Sequence, residues 1–274
     1  MIPQLPLAWG IVSLTDLAVG IGGRVWRAET ASGGSVVIKQ ISEQARDDAA
    51  HALAWLTWRQ GQGAVRLLDA SGDFQLLEDA GDETLGAVLE AEGDLAATRY
   101  AAEALRTLHA PGSGSVVLPS MRERFSSLTS LASPSEPLLR EAQHRLERLL
   151  ALPHAPQPLH GDIHHDNLLR GPRGWLAIDP HGVMGDPAYD AANLLYNPIE
   201  RRDLRTSTDR ARRLADLLGP AVGRPPEVVL GYAFCHACLS SVWHLEDGDR
   251  VEAEASLDVA RAIHPLLDAA PGLS

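Results

Sequence analysis

Lysine is almost missing from this chain: of its 24 lysine and arginine side chains, Lys39 is the one lysine and the other 23 are arginines. That bias makes Lys39 informative. A position that keeps lysine needs a compact ammonium on a flexible stem, which a planar guanidinium fork does not replace. Cysteine is scarce too. Cys235 and Cys238 lie three apart in a stretch that reads as helix, too close to staple a fold and too few for a structural zinc site. A disulfide scaffold is excluded and a reducing, cytoplasmic setting is expected. No charged start leads into an apolar run of signal-peptide length, and no stretch reads as the roughly 20 apolar residues that span a bilayer. Excess positive charge is also absent. The formal net charge of -12 argues against nucleic-acid and membrane-surface partners and concentrates cationic small molecules, although acidity also serves solubility by itself.

The 274 residues, 45% hydrophobic, suffice for a sizeable core in a bilobal unit or two adjoining domains. Two β-rich runs, around Ala18-Val19 and Val25–Ala28, flank the turn Gly20-Ile21-Gly22-Gly23. A third, Ser35 to Lys39, reads as a half-buried strand with the lysine at its end. Residues 42–59 turn helical, and two further runs, Ala64–Leu68 and Phe74–Leu77, complete a five-stranded sheet with one helix on it. After the acidic stretch Glu78–Asp82 nearly every periodic segment is helical: Thr84–Ala91, Asp94–His109, Met121–Leu131, Glu136–Leu152, Ala188–Leu195, Thr208–Leu218, Pro226–Leu245 and Val251–Leu267. Among them a short hairpin joins Asn167–Leu169 to Trp175–Ile178. The fold expected is α+β and bilobal: a small antiparallel sheet lobe over residues 1–77, a connector at 78–82, and a mostly helical lobe over 83–274.

The densest run of chemistry is His160-Gly161-Asp162-Ile163-His164-His165-Asp166-Asn167, followed across that hairpin by Ile178-Asp179-Pro180. A kinase catalytic loop places an aspartate five residues before a metal-binding asparagine, with a second metal-binding aspartate on a strand end beyond. Asp162, Asn167 and Asp179 keep that order. One carboxylate is needed to accept a hydroxyl proton, while an amide and a second carboxylate hold magnesium on a triphosphate. Singly these are an exposed loop aspartate, a turn asparagine and a strand-end aspartate; with Lys39 on the third strand they read as one phosphoryl-transfer site, the lysine on the α- and β-phosphates. His164 and His165 match no zinc spacing, and His160 reads as a packed, hydrogen-bonded loop residue.

Nearly the whole chain resembles the aminoglycoside/hydroxyurea antibiotic resistance kinases, on the stretches Leu159–Leu169, Gly174–Gly182 (Gly-Trp-Leu-Ala-Ile-Asp-Pro-His-Gly) and Gly61–Leu68. The resemblance implies a protein-kinase-like fold, ATP with magnesium, and transfer to a hydroxyl of a small cationic molecule. It places a hinge at Leu77–Ala80, where backbone groups of Glu78 and Ala80 would meet adenine, and an acidic anchor at Asp190 that would accept backbone N–H bonds from the catalytic loop. Asp186 reads as a helix N-terminal carboxylate. Gly20, Gly22 and Gly23 would cradle phosphate, although the run lacks the last glycine of the kinase G-x-G-x-x-G pattern. Glu43, Asp47 and Asp48 are available as the lysine's carboxylate partner, with Asp48 preferred. If the acceptor is an aminoglycoside such as streptomycin, Trp243, Glu246 and Asp247 would frame a guanidinium. The same motif accommodates a kinase of an amino alcohol, sugar or glycated amine; a non-catalytic nucleotide binder should have lost one of Lys39, Asp162, Asn167 and Asp179. Oligomeric state leaves no mark on the sequence.

Overall fold

The structure, a computed structural model, describes residues 4–20, 22–112 and 114–267. Its first unit is an antiparallel sheet of β1 (Ile11–Gly20), β2 (Gly23–Thr30), β3 (Ser35–Ile41), β4 (Leu67–Ser71) and β5 (Phe74–Glu78), in the spatial order β1-β2-β3-β5-β4. Alternation along the strands gives the sheet two different faces. Trp26, Ala28, Val36, Ile38 and Leu76 close over Trp9 as a small apolar core. Val25, Val37, Lys39, Gln75 and Leu77 point the other way, into a cavity that α1 (Arg46–Arg59) also lines with Ala52 and Leu56. The register Val25↔Lys39↔Gln75 therefore puts the single lysine in mid-sheet on the cavity face. The first strand starts earlier than the sequence suggested, at Ile11, and Ile21 of the expected turn lies outside the described residues. Ala64 and Val65 are not in β4: Ala64 makes a bridge to Ala177 in the second unit.

The second unit holds α2 (Leu85–Glu92), α3 (Asp94–Leu108), α4 (Met121–Arg124), α5 (Ser126–Thr129), α6 (Pro137–Leu150), α7 (Ala188–Tyr196), α8 (Arg202–Arg205), α9 (Thr208–Ala221), α10 (Pro226–Glu246) and α11 (Arg250–Leu267). Where one helix was expected over 121–131, Ser120 forms a capping box with Glu123 and the chain breaks at Phe125, whose ring is fully buried. The apolar helix α10 corrects another expectation. At 21 residues and mean hydropathy 1.4 it is long and apolar enough to cross a membrane, yet 83% of that stretch is buried inside the fold. It is the central core helix, apolar all round because α6, α7, α9 and α11 pack around it. Cys235 and Cys238 are fully buried there as free thiols.

Between α6 and α7 lie two nested ladders. The outer pairs β6 (Gln157–Leu159) with β9 (Val183–Gly185), and the inner pairs β7 (Leu168–Gly171) with β8 (Gly174–Ala177). Leu159 opposes Val183 and Leu168 opposes Ala177, so the intervening loops, 160–167 and 178–182, are forced to run side by side. His160 O accepts from both His181 N and Gly182 N at 2.9 Å, and Asn167 O accepts from Ile178 N at 3.0 Å.

Candidate active site

Side-by-side loops bring the motif residues together. Asn167 Nδ2 donates to Asp162 O at 2.9 Å and to Asp162 Oδ2 at 3.2 Å, fixing the aspartate from within its own loop. Across the gap, Asp179 takes a left-handed conformation (φ 56°), a sparsely populated state of the kind that gathers at functional sites. Its carboxylate accepts a hydrogen bond from the Lys39 ammonium. Asp48 is exposed in the first turn of α1, so the lysine's partner in this structure is Asp179 and not the helix carboxylate preferred from sequence.

Beneath the loop, Asp190 at the start of α7 is fully buried and accepts His160 N–H at 3.1 Å and Gly161 N–H at 2.7 Å, with His109 Nε2 3.2 Å away. Gly161 sits at φ +84°, and a Cβ there would approach Val183 Cγ1 to 3.1 Å, so the loop can dive onto Asp190 only with glycine. The His160 ring is also fully buried, edge-on to Trp55. Its Nδ1 meets the N–H of Asp162, which can only donate, and its Nε2 meets the carbonyl of Ile178, which can only accept. One tautomer, protonated at Nε2, satisfies both, and burial lowers the ring's pKa and keeps it neutral. Asp186 accepts the N–H of Ala188 and pairs with Arg224 at 2.9 Å, a helix-start carboxylate.

Burial pushes the Asp162 carboxyl up, but His181, His164 and His160 outweigh it and hold the group well below the usual carboxylate range. His164 Nε2 and His181 Nε2 each lie 3.6 Å from Asp162 Oδ2. His181 belongs to the Asp-Pro-His-Gly run noted in the sequence, but nothing there tied its ring to Asp162.

Two cavities flank the loops and share Asp166. One, of about 570 Å³, lies between the sheet and the inner hairpin. Val25, Val37 and Leu77 form one wall, Leu169 and Ile178 the opposite one, with Lys39 and Asp179 at one end and Glu78–Asp82 at the other. The Glu78 carboxylate accepts the N–H of Arg66 and two bonds from Arg173, which hold it below its ordinary pKa. Leu17 and Ala18 line this cavity, whereas the glycines beyond them do not. A Cβ at Gly23 would lie 1.8 Å from Gln40 O, while Gly20 and Gly22 face open space; Gly23 serves strand pairing.

The second cavity, of about 260 Å³, is lined by Asp162, His164, Arg124, His236 and Trp243, with Glu200 and Asp166 also in its wall. Of the three residues expected to frame a guanidinium, Trp243 lines this cavity and Glu246 and Asp247 do not. Glu246 accepts from Ser127 Oγ at 3.1 Å, and Asp247 is exposed at the C-terminus of α10. The acidic residues of the cavity come instead from the loop after α7 and the catalytic loop, and no sequence pattern pointed to Glu200 or Arg124.

Residues 8–248 match the aminoglycoside/hydroxyurea antibiotic resistance kinase family. The chain is 33% identical over 241 residues to streptomycin 3''-kinase of Klebsiella pneumoniae, covering 86% of this chain and 90% of that one. It is 32% identical over 231 residues to streptomycin 6-kinase of Streptomyces griseus, covering 80% and 74%. Among solved structures, the ethanolamine kinase of Plasmodium vivax superposes with a TM-score of 0.65 at 12% identity, covering 95% of this chain and 84% of that one, a likeness of fold alone. With a family match over most of the chain and a protein-kinase-like architecture around it, this protein belongs to the aminoglycoside/hydroxyurea antibiotic resistance kinases.

Proposed function

We propose that the protein transfers the γ-phosphoryl group of ATP to a hydroxyl of a small cationic acceptor, an aminoglycoside such as streptomycin. Residues 1–77 hold the nucleotide, 78–82 act as hinge, and 83–274 carry the base and the acceptor site. The observation that carries this reading is the line Lys39–Asp179–Asn167–Asp162, which runs from the larger cavity to the smaller one along two adjacent loops. Apolar walls above and below the larger cavity suit a planar base, with backbone groups of Glu78 and Ala80 at its edge.

The donor set suits magnesium. Asn167 uses its amide nitrogen on Asp162, which leaves the carbonyl oxygen as an acceptor, and Asp179 adds a carboxylate. Two hard oxygen donors are what magnesium takes from a protein when phosphates and water complete its shell. Bound there, it would neutralise phosphate charge. Lys39 neutralises further charge, Asn167 and its neighbours orient Asp162, and Asp162 accepts the acceptor's proton. The carboxylates of Glu200 and Asp166 at the smaller cavity suit the guanidinium groups of streptomycin. Two relatives of the chain, those of Klebsiella pneumoniae and Streptomyces griseus, are named as streptomycin 3''-kinase and streptomycin 6-kinase. The test is incubation of the purified chain with ATP, magnesium and streptomycin. ADP release together with a phosphate ester on streptomycin is expected; ADP release with other small alcohols or amines and none with streptomycin would move the acceptor to another class.

A further inference from the structure

Arg124 is a guanidinium in a place where the proposed acceptor is itself cationic. It sits at the end of α4, only partly exposed, and lines the smaller cavity with Asp162. Its contacts are all neutral or weak. Cζ lies 4.7 Å above the Trp243 ring, Nε donates to Tyr189 Oη at 3.4 Å, and Nη1 is 3.5 Å from His181 Nδ1. Among the described residues no carboxylate lies within 4.0 Å of it, whereas two fully buried arginines, Arg210 and Arg59, are committed. Arg210 pairs with Asp94 at 2.7 Å, and Arg59 donates to three carbonyls. Burial disfavours the charge of Arg124, but the Tyr189 hydroxyl and the more distant carboxylates of Asp162 and Asp48 outweigh it, so the guanidinium stays charged in the cavity without being locked into a direct ion pair.

Only one anion must cross this point in the proposed reaction. The two cavities meet at Asp166, with Lys39 and Asp179 on one side and Asp162 and Arg124 on the other. As the acceptor oxygen bonds to the γ-phosphorus, the bond from that phosphorus to the β,γ-bridging oxygen breaks. Its electron pair leaves on the β-phosphate of ADP, and the hydroxyl proton passes to the Asp162 carboxylate. During that exchange the charge on the phosphoryl oxygens moves from the lysine side to the Arg124 side. Trp243 and Tyr189 hold the guanidinium plane in place before the reaction, so no reorganisation is needed when the charge comes.

We propose that Arg124 is a catalytic residue that binds the phosphoryl group in transit from the acceptor side. The inference rests on the phosphotransferase reading above.

The experiment measures binding of magnesium-ADP, and of magnesium-ADP with aluminium fluoride, whose planar anion copies a phosphoryl group in transit. Calorimetry is run on the full chain as wild type and as Arg124→Gln, with unfolding midpoints recorded. Affinity for ADP should stay within about threefold, while affinity for the fluoride complex should fall about 10²-fold, the worth of one preorganised donor. Arg122→Gln, an exposed neighbour paired with Glu147, should match wild type in both. Should Arg124→Gln fail to fold, Arg124→Lys keeps stem and charge but lacks the planar fork, and the same selective loss is expected. Equal affinity of variant and wild type for the fluoride complex, or a parallel loss for ADP alone, overturns the assignment. Failure of the wild type itself to bind ADP would instead strike the phosphotransferase reading, so the two failures are told apart.

Discussion

Asp162 is held from three sides, by the Asn167 amide, by the ring of His181 and by the ring of His164. The rings of His181 and His164, with that of His160, favour the ionised form and outweigh the burial that opposes it. A carboxylate so placed is charged throughout the neutral range and can act only as base or electrostatic partner, never as an acid in the resting protein. Asp162→Asn keeps size and hydrogen bonding and removes charge and basicity. Single-turnover transfer with saturating ATP and acceptor should fall roughly 10²- to 10⁴-fold, the usual worth of a positioned base, with ATP binding retained; equal rates would remove Asp162 from the chemistry. This residue, Asn167 and Asp179 were legible in the sequence because their spacing is a chemical requirement. Lys39 was legible because the chain uses arginine everywhere else. At Arg59 the fork is used in full, reaching Gln62 O, Ala110 O and Thr107 O at 2.6 to 2.8 Å, a task for which an ammonium is poorly shaped. Arg124, Glu200 and the role of His181 were not legible, because they reach the site from distant segments and carry no fixed offset from it.

The catalytic loop is an element held by its neighbours more than by its own hydrogen bonds. The nested ladders β6–β9 and β7–β8 fix its ends, and the Asp190 carboxylate holds its first turn. Asp190→Ala would leave the buried N–H groups of His160 and Gly161 unpaired, at about 1–3 kcal/mol each. The urea midpoint should drop accordingly, and turnover should fall further than ATP affinity because the loop no longer aims Asp162. Asp190→Asn, which can still accept one of the bonds, should recover part of both. A variant with normal stability and normal turnover would show that Asp190 is not the loop's anchor. Helix positions were legible where caps mark them, as at Thr84, Glu136 and Ser207, whose side chains accept N-terminal N–H bonds. Strands β6 and β9 are three residues each, too short to show alternation, yet they are what brings Asp179 beside Asp162.

At the scale of the whole molecule, burial of histidine makes the fold sensitive to acid. The helical unit buries histidines whose charged form it cannot solvate. His165 is 4% exposed and His236 is 6% exposed, and burial lowers both to about 3 from the ordinary 6.5. Above about pH 6.5 both rings are neutral in the folded and unfolded chain and contribute no pH dependence. Below it the unfolded chain takes up protons that the folded chain refuses, so stability falls as pH falls, until about pH 3 where the folded rings also protonate. Each ring contributes about 1.4 kcal/mol per pH unit. Over two units of acidification the pair costs about 5 kcal/mol, a large share of the roughly 5–15 kcal/mol that holds a domain together. His236 is tied to Tyr189 Oη at 3.1 Å in a ring-packed site, whereas His165 Nδ1 has no partner among the described residues. His165→Gln is therefore the milder test. Urea unfolding from pH 6.5 down to pH 4.5 should show falling stability in the wild type and a slope reduced by about 1.4 kcal/mol per unit in His165→Gln. A wild-type stability that stays flat over that range would mean that these rings are not buried neutral. A normal slope in the variant would remove His165 from the account and leave the acid sensitivity to His236 and His160.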